Sequence, residues 1–327
     1  MARHGAPLKR VSSGMFEIVF LGTSASAPSI SRGLSSALVL HRDHRFLMDC
    51  GEGTQRQLLR SGMGFRKLDK VLLTHGHLDH ILGLGGLLST FSRWESIDAL
   101  TIYGGRWALR RVRDLLGVVL RGDEIDLTVR LTEIEAGTIW EDDGLVVRAF
   151  DVTHRGPDCY GFSFEEPTRR PFLAEEAERL GVPHGPERRR LVQGETVQLA
   201  DGRLVGPDDV LGPALSGLKY VHVGDAGRTD NLVEVCRDAD ALVIEATYLE
   251  EEADLARRFG HLTARQAAEL AREANVRQLF LVHISRRYAE RQVRHEARAV
   301  FPRTIVPRDL DVYRISREDI EKVPRER

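Results

Sequence analysis

The stretch VLLTHGHLDHILGLGGLL, residues 71–88, restricts this chain more than any other. His75, His77, Asp79 and His80 lie between two apolar runs. The first run reads as a strand over Lys70–Thr74. The second, from His80 onward, reads as a helix. Both need burial, so the turn between them holds four polar groups at the edge of a core. Buried polar groups without partners are costly. A metal ion removes that cost, because imidazole and carboxylate suit zinc, with manganese or iron as weaker alternatives. In an extended turn, imidazoles two residues apart aim at one ion. Asp79 and His80 then face a second ion beside it. The competing reading, a solvated polar turn, leaves the flanking apolar runs unexplained.

The chain has 327 residues and a net charge of −2 with histidine neutral. No overall field draws it to nucleic acid or membrane, so a polyanionic partner has to be held by local patches. The three cysteines, Cys50, Cys159 and Cys236, form no close pair. A disulfide framework is not expected, and a reducing cytoplasm fits. Residues 1–14 read as a disordered basic leader. Glu17 interrupts the apolar stretch that follows, and Pro28 would follow the Ala25-x-Ala27 site, which argues against a cleaved signal peptide. No run approaches the roughly 18 apolar residues of a membrane span.

Strands are expected over Phe16–Leu21, Ala37–His41, Arg45–Asp49, Lys70–Thr74, Leu145–Val152, Lys219–Val223, Ala241–Glu245 and Leu279–His283. Thr54-x-x-Gln57 and Thr263-x-x-Gln266 read as capping boxes that open helices. Residues 165–213 break the pattern. They hold six of the chain's twelve prolines, with dense glycine and arginine and little apolar periodicity. Such a stretch reads as an excursion from the domain, with a small helix near Leu173–Leu180. A long surface loop without a role is the plainer alternative.

His154, Asp225 and His283 each follow an apolar strand. Alone, each reads as a turn residue. Beside the cluster at 75–80 they become candidate ligands, and a carboxylate at 225 has two oxygens with which to bridge two ions. His4, His41, His44, His184, His222 and His295 have no such setting. Glu245 ends a strand, and His261 stands two residues before the capping Thr263. They read as plain strand-end and cap residues, or as a pair that keeps an imidazolium poised to donate a proton near neutral pH.

THGHLDH resembles the metallo-β-lactamase superfamily. Within it, FLGTSASAPSISRGLSSALVL, DCGEGTQRQLL, GDAGRTDN, EATYLEE, GHLTA, HISRRY and PRDLDVY resemble the ribonuclease Z family, from Phe16 to about Ile315. The resemblance implies a single domain over 15–327, a four-layer αββα sandwich with an inserted flexible arm at about 165–213. It implies two zinc ions, with manganese or iron as alternatives. His75, His77 and His154 would hold one, Asp79, His80 and His283 the other, and Asp225 would bridge. Asp79, His261 and Glu245 would be catalytic. Gly185 and Pro186 match the arm's Gly-Pro motif, and Arg188, Arg189 and Arg190 follow as candidates for gripping tRNA. The implied reaction removes the 3′ trailer of precursor tRNA, leaving a tRNA 3′-hydroxyl, in a cytoplasmic homodimer. Alternatives are another metal-dependent phosphodiesterase of this fold, or a non-catalytic RNA-binding subunit. Three segments depart from the family pattern: GDA, GHLTA and VHIS stand where Gly-Asp-Thr, Gly-His-Ser-Thr-Ala and Thr-His-Phe/Ile-Ser are usual. The ligands and the Glu245–His261 pair survive, so the departures touch their surroundings.

Overall fold

The computed structural model describes residues 14–94, 97–120 and 127–324. The leader expected over 1–14 lies outside them, apart from Gly14. The chain divides into two compact units, Glu166–Gly217 and the remainder.

The larger unit is built on two sheets, of eight and seven strands. The first runs Ile320–Lys322, Val312–Ser316, Met15–Gly22, Ser36–His41, His44–Met48, Lys70–Leu72, Ala99–Gly104, Thr128–Glu133. The second runs Thr304–Ile305, Leu279–Val282, Ala241–Glu245, Lys219–His222, Tyr160–Glu165, Leu145–Asp151, Gly137–Asp142. Both are mixed, with parallel and antiparallel neighbours.

Strand periodicity assigns the layers. Phe16, Ile18 and Phe20 point to one side, into a core shared with Phe162, Phe164, Tyr220 and Phe280 of the second sheet. Val19 and Leu21 point to the other side, where Leu58, Leu87, Phe91 and Val112 come from helices Thr54–Arg60, Leu84–Trp94 and Arg106–Val119. On the far side of the second sheet, Leu242, Ile244 and Leu281 meet Ala267, Leu270, Ala271, Val293 and Ala297 of helices Ala264–Glu273 and Glu290–Val300. The order is helix, sheet, sheet, helix, the expected αββα sandwich. Alternation over Leu145–Asp151 is real, with Leu145, Val147 and Ala149 buried.

Two expectations need correction. Thr263 and Gln266 do form a capping box: Gln266 N–H donates to Thr263 Oγ1 (3.2 Å), and Thr263 N–H donates to Gln266 Oε1 (2.9 Å). Thr54 and Gln57 do not. Gly53 caps that helix, in the left-handed region at φ +86°. Thr54 Oγ1 instead donates to Gly51 O, and Gln57 Nε2 to Leu21 O. Glycine tolerates a positive φ that threonine resists, so the cap falls one residue earlier.

The second correction concerns residues 166–217. The small helix expected near Leu173–Leu180 is there, at Ala174–Arg179; what needs correction is the expected lack of apolar packing. Ala177, Val182, Leu191, Val197, Val205 and Val210 bury one another in a small core. Helices Ala174–Arg179, Pro186–Val192 and Pro207–Val210 and a ribbon of Val197–Gln198 with Leu204–Val205 surround it. Pro186 stands at the first helical position, where its missing N–H is harmless.

The turn Cys50–Gly53 docks directly on helix Leu78–Ile81. Cys50 N–H donates to His80 O (2.7 Å), and Gly83 N–H donates to Cys50 O (2.9 Å). A Cβ on Gly83 would lie 2.0 Å from Gly51 O. Gly83→Ala should therefore push this helix away from the sheet. Overpacking of this kind costs about 1–3 kcal/mol, which a urea unfolding midpoint would measure.

Candidate metal centre

Helix Leu78–Ile81 follows the strand Lys70–Leu72, and the turn between them lies at the strand's C-terminal end. Neighbouring strands of the second sheet end at the same place. Leu145–Asp151 leads to His154, Lys219–His222 to Asp225 and Leu279–Val282 to His283, while Ala241–Glu245 ends on Glu245. Residues from five parts of the chain thus meet in one place.

They form two groups on either side of the Asp225 carboxylate. Asp225 Oδ2 lies 3.8 Å from His75 Nε2 and 3.7 Å from His154 Nε2. His77 Nδ1 completes that group, 2.8 Å from His75 Nε2 and 3.3 Å from His154 Nε2. Asp225 Oδ1 lies 3.4 Å from His80 Nε2 and 3.3 Å from His283 Nε2. Asp79 Oδ2 completes the second group, 3.3 Å from His283 Nε2 and 3.8 Å from His80 Nε2. All seven candidate ligands from the sequence are brought together.

Hydrogen bonds on the far side of each ring select the tautomer. His80 Nδ1–H donates to Asp49 Oδ2 (2.8 Å). His154 Nδ1–H donates to Gly260 O (2.6 Å). Thr74 Oγ1 donates to Asp49 Oδ2 and accepts from His75 Nδ1–H (3.0 Å). Thr247 Oγ1 donates to Glu245 Oε2 and accepts from His283 Nδ1–H (2.8 Å). Four histidines thereby turn Nε2 lone pairs inward. Burial and the adjacent imidazoles hold His75 well below the usual histidine range and His77 down to about 4, so both are neutral. Burial alone would raise the Asp225 carboxyl, but His283, His80 and His75 hold it well below the usual carboxylate range.

Converging imidazole nitrogens and a carboxylate are ligands in search of a cation. Among the described residues, His80 Nε2 and Asp225 Oδ1 are buried without a hydrogen-bond partner. Tetrahedral zinc, with ligands at about 2.0–2.2 Å, sets them roughly 3.3–3.6 Å apart, close to most of these spacings. The residues fit a pair of divalent ions. The cysteines do not contribute: all three are free and buried, and burial pushes each thiol up to about 12.

Glu245 is fully buried. Its Oε1 accepts from Ala226 N–H (2.7 Å) and from His261 Nδ1–H (2.9 Å). Burial opposes charge on His261, but Glu245, with Asp225 and Asp79 beyond it, lifts its pKa to about 9. His261 lines an open cleft with His77, Asp79, His154 and Asp225. His4 lies outside the described residues; His44 pairs with Asp142 (2.7 Å), His184 is exposed, and His222, buried behind His80, bonds Tyr220 Oη (2.8 Å).

The sequence reading missed Asp49, Thr74 and Thr247. Asp49 accepts from Thr74 N–H, Thr74 Oγ1 and His80. Its signal was an acid closing the apolar strand RFLM. His283 and Asp49 have φ of +54°, unusual for residues with a Cβ. Hydrogen bonds from all sides over-determine that conformation.

Residues 16–172 match the family model described as "Anti-Pycsar protein Apyc1", and residues 191–284 match "Beta-lactamase superfamily domain". A ribonuclease Z of Bradyrhizobium diazoefficiens is 46% identical over 91% of this chain and 99% of its own length. The Bacillus subtilis ribonuclease Z is 38% identical over 90% and 97%. The chain belongs to the ribonuclease Z family. Human tRNase Z, short form, superimposes with a TM-score of 0.64 at 25% identity, over 90% of this chain and 98% of that one. Two of the family departures now have a physical reading. In GDA, the group used at position 226 is the main-chain N–H to Glu245, which alanine supplies as well as threonine. In GHLTA, Thr263 keeps the cap.

Asp49→Ala should destabilise the protein by about 3 kcal/mol, because it strands the buried His80 Nδ1 and Thr74 N–H. Equilibrium unfolding in urea checks this. Wild-type stability would show that Asp49 holds nothing in place.

Proposed function

We propose that this chain removes the 3′ trailer of precursor tRNA as a cytoplasmic, zinc-dependent endoribonuclease, with a tRNA 3′-hydroxyl as product. The carrying observation is Asp225, whose two oxygens face two separate ligand groups. Family membership supplies the substrate. Two divalent ions held there would lower the pKa of a bound water to about 7 and offset charge on phosphoryl oxygens.

The chain's own residues do the rest. Asp79 orients the attacking water and takes its proton. Its Oδ2 is fixed by Ser26 N–H (3.0 Å) and lies 3.3 Å from His283 Nε2. His261 donates a proton to the departing 3′-oxygen of the tRNA. Glu245 keeps it charged, lifting its pKa to about 9, so the imidazolium has a proton to donate. Loss of a general acid typically costs about 10²–10⁴ in rate. His261→Ala should show such a loss on precursor tRNA, with metal content intact. A nitrophenyl phosphodiester, whose leaving group needs little protonation, should be far less affected. Equal losses on both substrates would remove His261 from this role. Asp225→Ala should lose affinity for both ions, and chelation should abolish cleavage of a precursor bearing a trailer.

Residues 166–217 are the proposed tRNA-binding arm. Gly185 and Pro186 open its second helix. Of the three arginines that follow, Arg188 is largely enclosed: it donates to Val182 O (3.1 Å), 5.7 Å from the Phe172 ring. Arg190 pairs with Glu195 (2.8 Å). Arg189 is exposed, with no ion pair among the described residues, and is the best placed of the three for phosphate. Because the arm has its own core, a test should remove it whole. Glu165 and Lys219 are paired across adjacent strands, so a short Gly/Ser turn can rejoin the chain. Without the arm, precursor tRNA should bind more weakly and with a flatter salt dependence. Hydrolysis of the small phosphodiester should persist. Unchanged KM for precursor tRNA across a salt titration would refute the arm's role. A homodimer is proposed on family resemblance; among the described residues, no helix is long and apolar enough to cross a membrane.

A further inference from the structure

The helix Arg106–Val119 reaches the metal centre through a residue the mechanism above does not use. Trp107 lies in its first turn, half-buried. Its indole fills the slot between two ligand-bearing turns. On one side is Gly76, between His75 and His77; a Cβ there would meet Trp107 Cε3 at 2.9 Å. On the other is Gly156, two residues beyond His154; a Cβ there would meet Trp107 Cζ3 at 3.0 Å. Both contacts therefore need glycine, and both turns close onto the same ring.

The indole also touches a candidate ligand directly. The His77 and Trp107 ring centroids are 5.4 Å apart at 89°, an edge-to-face contact. Arg111, one turn further along the helix, locks the arrangement. Its guanidinium lies 5.5 Å from the Trp107 ring, and Nη1 donates to Gly76 O (2.9 Å). Trp107 N–H donates to Asp158 Oδ2 (3.3 Å), which ties the helix to the turn after His154.

The contrast with the other ligands is informative. Nδ1 of His75, His80, His154 and His283 each has a hydrogen-bond partner outside the ligand groups. No such partner holds His77 among the described residues. Its half-buried ring instead has the face or edge of an indole.

We propose that Trp107, backed by Arg111, is a positioning residue for the His75–His77–His154 group: it holds His77 in place by packing where the other histidines are held by hydrogen bonds. The inference rests on the metal reading above and deepens it. It assigns Trp107 to one ion of the pair and not the other, because Trp107 touches no residue of the Asp79–His80–His283 group among the contacts described.

Competition with a chromophoric chelator measures zinc affinity without recourse to activity. Loss of an outer partner to a metal ligand typically lowers affinity about 10–100-fold. Trp107→Ala should weaken one ion by that factor and leave the other within about threefold. Trp107→Phe, which keeps an aromatic ring in the slot, should restore most of the loss. A second measurement needs no destabilising change. Zinc titration of the apo-protein should alter tryptophan emission in wild type and in the double variant Trp94→Phe/Trp140→Phe, where Trp107 is the sole tryptophan, and not in Trp107→Phe. Two ions held as tightly in Trp107→Ala as in wild type, or an emission unmoved by zinc in the variant that keeps Trp107 alone, would overturn the inference and leave the metal reading standing. Failure of the wild-type chain to bind two ions would instead overturn both.

Discussion

The Asp225 carboxylate is almost wholly buried, and six imidazoles crowd within reach of its two oxygens or of each other. In a protein interior this is tolerable only with compensating positive charge. Protons can supply part of it: burial opposes charge on His80, but Asp225 and Asp49 hold it well above the usual histidine range. Protons cannot supply all of it, because His75 and His77 are kept neutral and their facing nitrogens lie 2.8 Å apart. Two divalent cations would resolve both problems at once. The rest of the structure can be understood as the apparatus that keeps these groups converged.

That apparatus works from the sheets outward. Strands of the second sheet end at one edge and deliver His154, Asp225, Glu245 and His283 there. The close approach of Gly51 and Gly83 seats the short helix that carries Asp79 and His80. Gly224 lies against Thr74, with space for no Cβ: it would meet Thr74 Oγ1 at 2.7 Å. Thr74 in turn fixes both His75 and Asp49. Small residues at these points allow the backbone to approach closely, and hydrogen bonds then set each ring's tautomer.

Much of this was legible in the sequence, and for identifiable reasons. The ligands lie either in one contiguous turn or directly after apolar strands, so period-two patterns and chemistry together expose them. Strands Ala99–Gly104, Thr128–Glu133, Gly137–Asp142, Tyr160–Glu165 and Val312–Ser316 were not found; in Thr128–Glu133 and Gly137–Asp142 the apolar face is only two residues wide and half-buried, Val129 with Leu131 and Ile139 with Trp140. The arm's core was missed because its few apolar residues are spread over short elements broken by proline and glycine. Asp49, Thr74, Thr247 and Trp107 were missed because each acts on a residue distant or differently oriented in space. Arg188 looked like a basic surface residue, yet its guanidinium is used inside the arm.

Anomalous diffraction at the zinc edge, on crystals grown with zinc, tests the central claim most directly. The account predicts two peaks per chain flanking the Asp225 carboxylate. One should lie among His75, His77 and His154, the other among Asp79, His80 and His283. A single peak, or a pair of peaks with Asp225 contacting only one, would contradict it.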